Sequence, residues 1–147
     1  MSTNKSMKNH LPHRLAIVCC AALALIGCSE GESDKTEPPV MPRFDDPHLA
    51  EGRSVWMGTC RKCHLMGVAG APAVTNFTEW DQRIAKGKEA LYHSALNGIK
   101  GPDGKYRMPP HGGNRRLTDD QVRSAVDYKV AAIEELQREA QQEGGEH

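Results

Sequence analysis

Aromatic residues are scarce in this chain: two Trp, three Tyr and two Phe make up 5 % of 147 residues. A single domain with so few bulky side chains has little around which to close a core, and small domains are already marginal by surface-to-volume scaling. No apolar run reaches the about 20 residues needed to span a bilayer. The longest, Leu15 to Ile26, is shorter and lies near the N-terminus. No basic cluster is interleaved with aromatics, which argues against nucleic acid as a partner. No segment alternates polar and apolar residues at period two, and no internal repeat is present, so the expected fold is all-α. A second C-x-x-C and an H-x-x-x-H are also missing. The one C-x-x-C therefore cannot be completed into a four-ligand structural zinc site, and no βαβ pattern surrounds it to suggest a thioredoxin-like pair.

What is there is Cys60-Arg61-Lys62-Cys63-His64. The pattern C-x-x-C-H is that of covalent c-type haem attachment. Two thiols three residues apart reach the two vinyl groups along one haem edge, and His64 then lies under the iron as its fifth ligand. One covalent haem also supplies the apolar bulk that the composition lacks, and it stabilises the fold by binding the native state alone.

The other three cysteines have a different reading. Lys5, Lys8 and Arg14 precede the apolar run with no acid among them, as in an export signal. The run ends in Leu25-Ile26-Gly27-Cys28, which resembles the lipobox of bacterial lipoproteins. That resemblance implies a signal peptide over residues 1–27 and lipidation of Cys28 as the mature N-terminus. Cys19 and Cys20 then leave with the signal, Cys28 takes lipid, and Cys60 and Cys63 take haem. No thiol remains for a disulfide in an oxidising compartment. Residues 28–44, rich in Glu, Ser, Lys and Pro, read as a flexible tether. A single domain is expected over 45–140, followed by a disordered acidic tail over 141–147.

Within that domain about four helices are expected. Asp46-Pro47 places an N-cap before a proline at the first helical position. Leu49, Gly52, Val55 and Trp56 then follow at helical spacing and lead into the motif near Gly58. Leu65 to Ala73 is a Gly, Ala and Pro loop. Thr78 reads as the cap of a short helix ending at Gly87, and Lys88 to Leu96 as another, stopped by Asn97-Gly98. Ile99 to Asn114 is turn-rich. Thr118-Asp119-Asp120-Gln121 forms a capping box. It opens the last helix, whose apolar face is Val122, Ala125, Val126, Val130 and Ile133.

A haem held by His64 needs a decision at its sixth position. The candidates are Met41, Met57, Met66, Met108, His48, His93 and His111. Met66 is too close to His64 to cross to the other face. Met41 sits in the tether, Met57 lies on the wrong side of the leading helix, and His93 lies on a short helix. Met108 stands 44 residues past His64, in the turn-rich segment and before Pro109-Pro110. A thioether favours the reduced iron and raises the potential relative to imidazole. His111 is the rival, and two imidazoles would lower the potential.

These pieces together resemble a class I c-type cytochrome, and within that class the cytochrome c5 family. The resemblance is carried by Cys60 to His64, Gly67-Val68-Ala69-Gly70-Ala71-Pro72, Trp80, Arg83-Ile84-Ala85-Lys86-Gly87 and Leu96-Asn97-Gly98. It continues through Met108-Pro109-Pro110-His111-Gly112-Gly113 and Leu117-Thr118-Asp119 to Val126-Asp127-Tyr128. It implies His64 and Met108 as axial ligands, and the Pro72 carbonyl orienting the His64 ring. It also implies Trp80 and Arg83 in the haem site, and packing of the first helix on the last. One departure is plain. Asn114 and Arg116 stand where members of the family often carry a cysteine pair, which puts the rigidity of that loop in doubt.

The function so implied is one-electron transfer by a six-coordinate haem c, not catalysis. The expected carrier is a monomer, lipid-anchored in the bacterial periplasm, that exchanges electrons with redox proteins at a membrane surface in a respiratory-type chain. Ser29 after Cys28 favours the outer membrane over the inner. Two rival readings are a tethered haem subunit of a larger dehydrogenase or oxidase, and a haem enzyme or gas sensor with a labile sixth ligand. Residues 50–116 carry 11 basic and 5 acidic groups, and residues 117–147 carry 3 basic and 8 acidic. A basic rim at the haem edge would steer a partner with an acidic docking surface.

Overall fold

The computed structural model describes residues 37–145. The expected signal peptide, the expected lipid site at Cys28 and the expected tether up to residue 36 lie outside the described residues.

Asp46 caps the first helix as its pattern predicts, accepting a 2.9 Å hydrogen bond from the Leu49 amide. Helix α1 (Pro47–Val55) passes into a π-helical turn (Trp56–Cys60) and then into α2 (Arg61–His64). The junction residues Val55, Trp56, Cys60 and Arg61 all keep right-handed helical backbone, so the three pieces form one rod. At the widened turn the Arg61 amide donates to Trp56 O, five residues back. Such insertions re-aim the side chains that follow them and recur at functional sites. Here the turn comes just before the two cysteines and His64.

A short 3-10 turn (Val68–Gly70) leads to α3 (Phe77–Ile84) and α4 (Lys88–Asn97). The cap of α3 is Asn76, not Thr78: the Asn76 side chain accepts from the Glu79 amide at 3.4 Å. Both residues are good caps, but only Asn76 has left helical backbone (φ −83°, ψ 71°). The turn-rich segment holds a small antiparallel ribbon, β1 (Ile99–Lys100) with β2 (Tyr106–Met108), in which Ile99 opposes Met108. Strands of two and three residues are too short to produce alternation. A second 3-10 turn (Pro110–Gly113) follows. Helix α5 (Asp119–Gly144) then opens on the expected capping box, with both Thr118–Gln121 bonds formed. It runs on to Gly144, so the segment expected to be disordered from 141 is helical for four residues more. The described residues contain no helix long and apolar enough to cross a membrane.

The rod lies across α5 at close range. A Cβ on Gly52 would stand 2.0 Å from the Ser124 carbonyl oxygen, so only glycine fits this crossing. Trp56 and Tyr128, both fully buried, meet there at 6.0 Å between ring centroids. Met41 is a correction to the tether boundary. It is 5 % exposed and belongs to the same core cluster as Trp56, Trp80, Tyr128 and Ile133. The neighbouring Pro42 carbonyl accepts from Tyr128 OH at 2.9 Å and from Arg53 Nε at 3.2 Å. An aromatic-poor chain thus uses the segment before α1 to cover the helix crossing.

A carboxylate clip ties α1, α4 and α5 together. Asp127 accepts from His48 Nε2 at 2.9 Å, from Tyr92 OH at 2.6 Å and from Lys88 Nζ at 2.9 Å. Burial alone would raise its carboxyl, but these three partners outweigh burial and hold it below its usual value.

Candidate functional site

Behind the crossing the rod and α5 line an apolar cleft. The rod gives Val55, Trp56, Cys60 and His64, and α5 gives Val122, Ala125, Val126 and Lys129. Ala95 of α4 closes one side, and His111, Gly112 and Leu117 of the loop before α5 close another. The re-aimed end of the rod therefore brings Cys60 and His64 to one cavity, while Cys63 is exposed.

His64 is fixed by the loop after it. Its Nδ1 lies 3.1 Å from Pro72 O. A carbonyl only accepts, so Nδ1 carries the proton and Nε2 keeps the free lone pair. This is the tautomer that a metal-ligating imidazole needs. The loop is held in turn by the Val74 amide, which donates to His64 O at 2.9 Å. Burial, then the nearby charge of Lys129, push the His64 pKa down to about 4, so the ring is neutral at physiological pH. Burial also pushes the Cys60 thiol up.

Trp80 stands beside His64, with ring centroids 6.0 Å apart, and its indole N–H donates to Ala73 O at 2.7 Å. Arg83, one turn further on, pairs with Glu79 and places its guanidinium 5.9 Å from the Trp80 ring. Two buried donors, Trp56 Nε1 and Arg83 Nε, have no hydrogen-bond partner among the described residues. A buried donor left unpaired costs about 1–3 kcal/mol, and an acceptor brought by a bound group would recover it. Two free thiols, one correctly protonated imidazole, an apolar cleft and an unsatisfied arginine fit a haem with its two carboxylates. Among the described residues no three His, Cys, Asp or Glu side chains gather to hold a bare metal ion.

Of the sixth-ligand candidates, five are placed away from the cleft. Met41 is in the core, and Met57 and Met66 line a surface groove with Arg61, Lys62, Leu65 and Val68. His48 is engaged by Asp127. His93 is exposed on α4 and is not among the cleft residues. His111 lines the cleft, but its Nε2 is turned to a carboxylate. Nδ1 donates to Leu117 O at 3.1 Å, and Nε2 lies 3.3 Å from Asp119. Met108 ends β2, half-buried, three residues before His111. Its side chain is not among those lining the cavity.

The loop carrying it is pinned at two points. Gly98 has φ +75°, and a Cβ there would stand 2.6 Å from Met108 O and 2.8 Å from Pro110. Asn114 Nδ2 donates to Thr59 Oγ1 at 3.3 Å, next to Cys60.

Sequence reasoning missed Lys129. A single lysine in an amphipathic helix reads as a solvated residue. Its spacing from Val122, Ala125 and Val126 was the signal that placed it on the inner stripe.

A helical domain closing on a C-x-x-C-H rod defines a small haem protein of the c type. Residues 47–128 match the family model described as cytochrome C oxidase, cbb3-type, subunit III. The chain is 42 % identical over 81 residues to cytochrome c-555 of Chlorobaculum tepidum, a match covering 55 % of this chain and 73 % of that protein. It is 35 % identical over 69 residues to cytochrome c5 of Ectopseudomonas mendocina, covering 46 % and 72 %. A chain of the crystal structure of an electron transfer complex of nitrite reductase with cytochrome c is 34 % identical, with 56 % of this chain and 94 % of that chain covered and a TM-score of 0.49. The chain belongs to the class I c-type cytochromes, in the family of that cbb3-type subunit III model. It is a haem-based electron carrier rather than an enzyme, and its cofactor is one covalent haem c.

Proposed function

We propose that the chain carries single electrons at a membrane surface, with its haem attached through Cys60 and Cys63 and six-coordinated by His64 and Met108. The observation that carries this reading is the His64 Nδ1–H bond to Pro72 O, which fixes the ring with its Nε2 lone pair free at the cleft. Bound there, the haem supplies a one-electron iron couple. The chain holds the ligand geometry and keeps water out with Trp56, Val122 and Ala125. Met108 is favoured over His111 because His111 Nε2 is turned to the Asp119 carboxylate, 3.3 Å away.

Electrons pass on this reading near exposed Cys63. The groove of Arg61, Lys62, Met66 and Val68 offers there a basic and partly apolar face to an acidic redox protein. Leu25-Ile26-Gly27-Cys28 supports export to the periplasm and a lipid anchor on Cys28, with Ser29 favouring the outer membrane. Acyl chains on Cys28 would exceed the two-signal threshold for stable anchoring. A respiratory-type chain of fixed partners suits a small tethered carrier. The family model's description, naming an oxidase subunit, favours as second reading a tethered haem subunit of a larger complex. A stoichiometric partner that co-purifies would support that second reading.

The test is a redox titration with spectra of both states. The oxidised protein should show the far-red sulfur-to-iron band, which should vanish in Met108→Ala and persist in His111→Ala. Rapid, complete CO binding by the reduced protein would instead mean an open sixth position and overturn the six-coordinate carrier. Incorporation of labelled fatty acid, lost in Cys28→Ser, tests the anchor.

A further inference from the structure

The stripe that α5 turns to the cleft is Val122, Ala125, Val126 and Lys129. The spacing i, i+3, i+4, i+7 makes these one helix face. Three members are apolar and the fourth is a cation. Lys129 keeps some exposure as a residue, but its ammonium is drawn inward over the Trp80 indole, 3.7 Å from the ring centroid. Trp80 in turn stands against the His64 ring. Among the described residues no carboxylate answers this charge. None of the ion pairs among the described residues includes Lys129, and on α3 Glu79 is already taken by Arg83. Cation–π contact returns part of the cost of desolvating an ammonium, but an unpaired buried charge remains expensive. Methionine would fill the same space without that cost.

We propose that Lys129 is an internal cation of the haem site and raises the reduction potential of the iron bound to His64. The proposal rests on the carrier function above. Loss of an electron to a partner redox protein leaves the iron with one more positive charge. A neighbouring ammonium disfavours that state and favours the reduced one. The cleft is apolar, so the charge acts across a lower dielectric than a surface lysine does. Exposed Lys62 is screened by water and salt. Burial pushes the Lys129 pKa down to about 7, so its effect is best read below that.

The test is a redox titration of the haem-loaded protein at about pH 6, below the lysine's midpoint. It compares wild type with Lys129→Met, Lys129→Arg and Lys62→Met. Lys129→Met should shift the midpoint potential down while its thermal unfolding temperature stays the same or rises. Lys129→Arg should keep the wild-type potential, and Lys62→Met should shift it much less than Lys129→Met. An unchanged potential in Lys129→Met, or an equal fall in Lys129→Arg, overturns the proposal. Should Lys129→Met fail to load haem, Lys129→Gln gives the same readout with the same two outcomes. Spectra of each variant report ligation separately. Loss of the far-red band in wild type would count against Met108 as ligand, whereas an unmoved potential with the band intact counts against Lys129 alone.

Discussion

Replacing Gly52 with alanine should destabilise the protein although alanine is the better helix former. The added Cβ would meet the Ser124 carbonyl oxygen at 2.0 Å, the Ser124 carbonyl carbon at 2.6 Å and the Tyr128 Cβ at 3.0 Å. Two of these are backbone atoms of α5, which cannot rotate away as a side-chain tip can. The rod and α5 must part by about 1 Å to restore even a short contact, and Trp56 and Tyr128 lose packing as they do. Overpacking of this kind costs about 1–3 kcal/mol, and backbone contact puts it near the upper end. Alanine recovers up to about 1 kcal/mol of helix propensity. The net loss is about 2 kcal/mol, a fall in unfolding temperature of about 8–16 °C for a domain of this size.

Gly58 is the internal control. It lies on the same rod, and a Cβ there meets nothing within 4 Å. Gly58→Ala should therefore leave stability unchanged or raise it by up to about 1 kcal/mol. The assay is thermal unfolding of haem-loaded protein followed by far-UV circular dichroism. If Gly52→Ala is as stable as wild type, or if the two variants shift alike, close approach of the helices is not what requires glycine at 52.

Other outcomes follow from single contacts. Asp127→Asn leaves Lys88 without a counter-charge and turns a donor toward one of its former partners, costing about 1 kcal/mol in urea unfolding at neutral pH once partial solvent screening is allowed for. Because the folded carboxyl is held below its usual value, its contribution is complete above about pH 4 and lost as the pH falls through the folded pKa, so wild type and variant should converge in acid. Asn76→Ala should cost about 1 kcal/mol as a lost cap, whereas Thr78→Ala should stay within about 0.5 kcal/mol; equal losses would return the cap to Thr78. Electron transfer to an acidic redox partner should slow as salt rises and lose part of that dependence in Lys62→Met; a flat salt response in wild type would remove steering by the Arg61–Lys62 face.

Legibility in the sequence followed the range of the interaction. The Asp46 and Thr118 caps and the arrest of α4 at Gly98 are decided within four residues, and their residue types announce them. The π-helical turn is not announced, because Trp56 to Cys60 carries no residue that distinguishes a widened turn from an ordinary one. The choice of Asn76 over Thr78 was also out of reach, since both are good caps and the preceding loop decides. Met41 looked like tether because its neighbours are Pro and Val; its burial depends on Tyr128, 87 positions away. The Asp127 clip gathers partners 79 and 35 residues distant. At the site, the spacing of Cys60, Cys63 and His64 could be read directly. The Pro72 carbonyl entered only through family resemblance, and Lys129 required knowing which face of α5 turns inward.

The loop that carries Met108 shows what stands at the positions where the resemblance led one to expect a cysteine pair. Asn114, at one of those positions, donates to Thr59 Oγ1 and accepts from the Arg116 amide at 3.2 Å. Gly112 brings the same loop so close to Thr59 that a Cβ would stand 2.9 Å from its methyl. The crosslink within the loop is thus exchanged for a polar clasp between the loop and the rod, one residue before Cys60. A hydrogen bond of this kind is worth about 1 kcal/mol, against about 2–4 kcal/mol for a disulfide, so the clasp holds more weakly. Its direction differs as well. A crosslink between 114 and 116 would stiffen the turn by itself, whereas the Asn114–Thr59 bond ties the loop after Met108 to the rod that carries His64. The loop that bears Met108 is thus joined to the rod that bears His64 right beside Cys60.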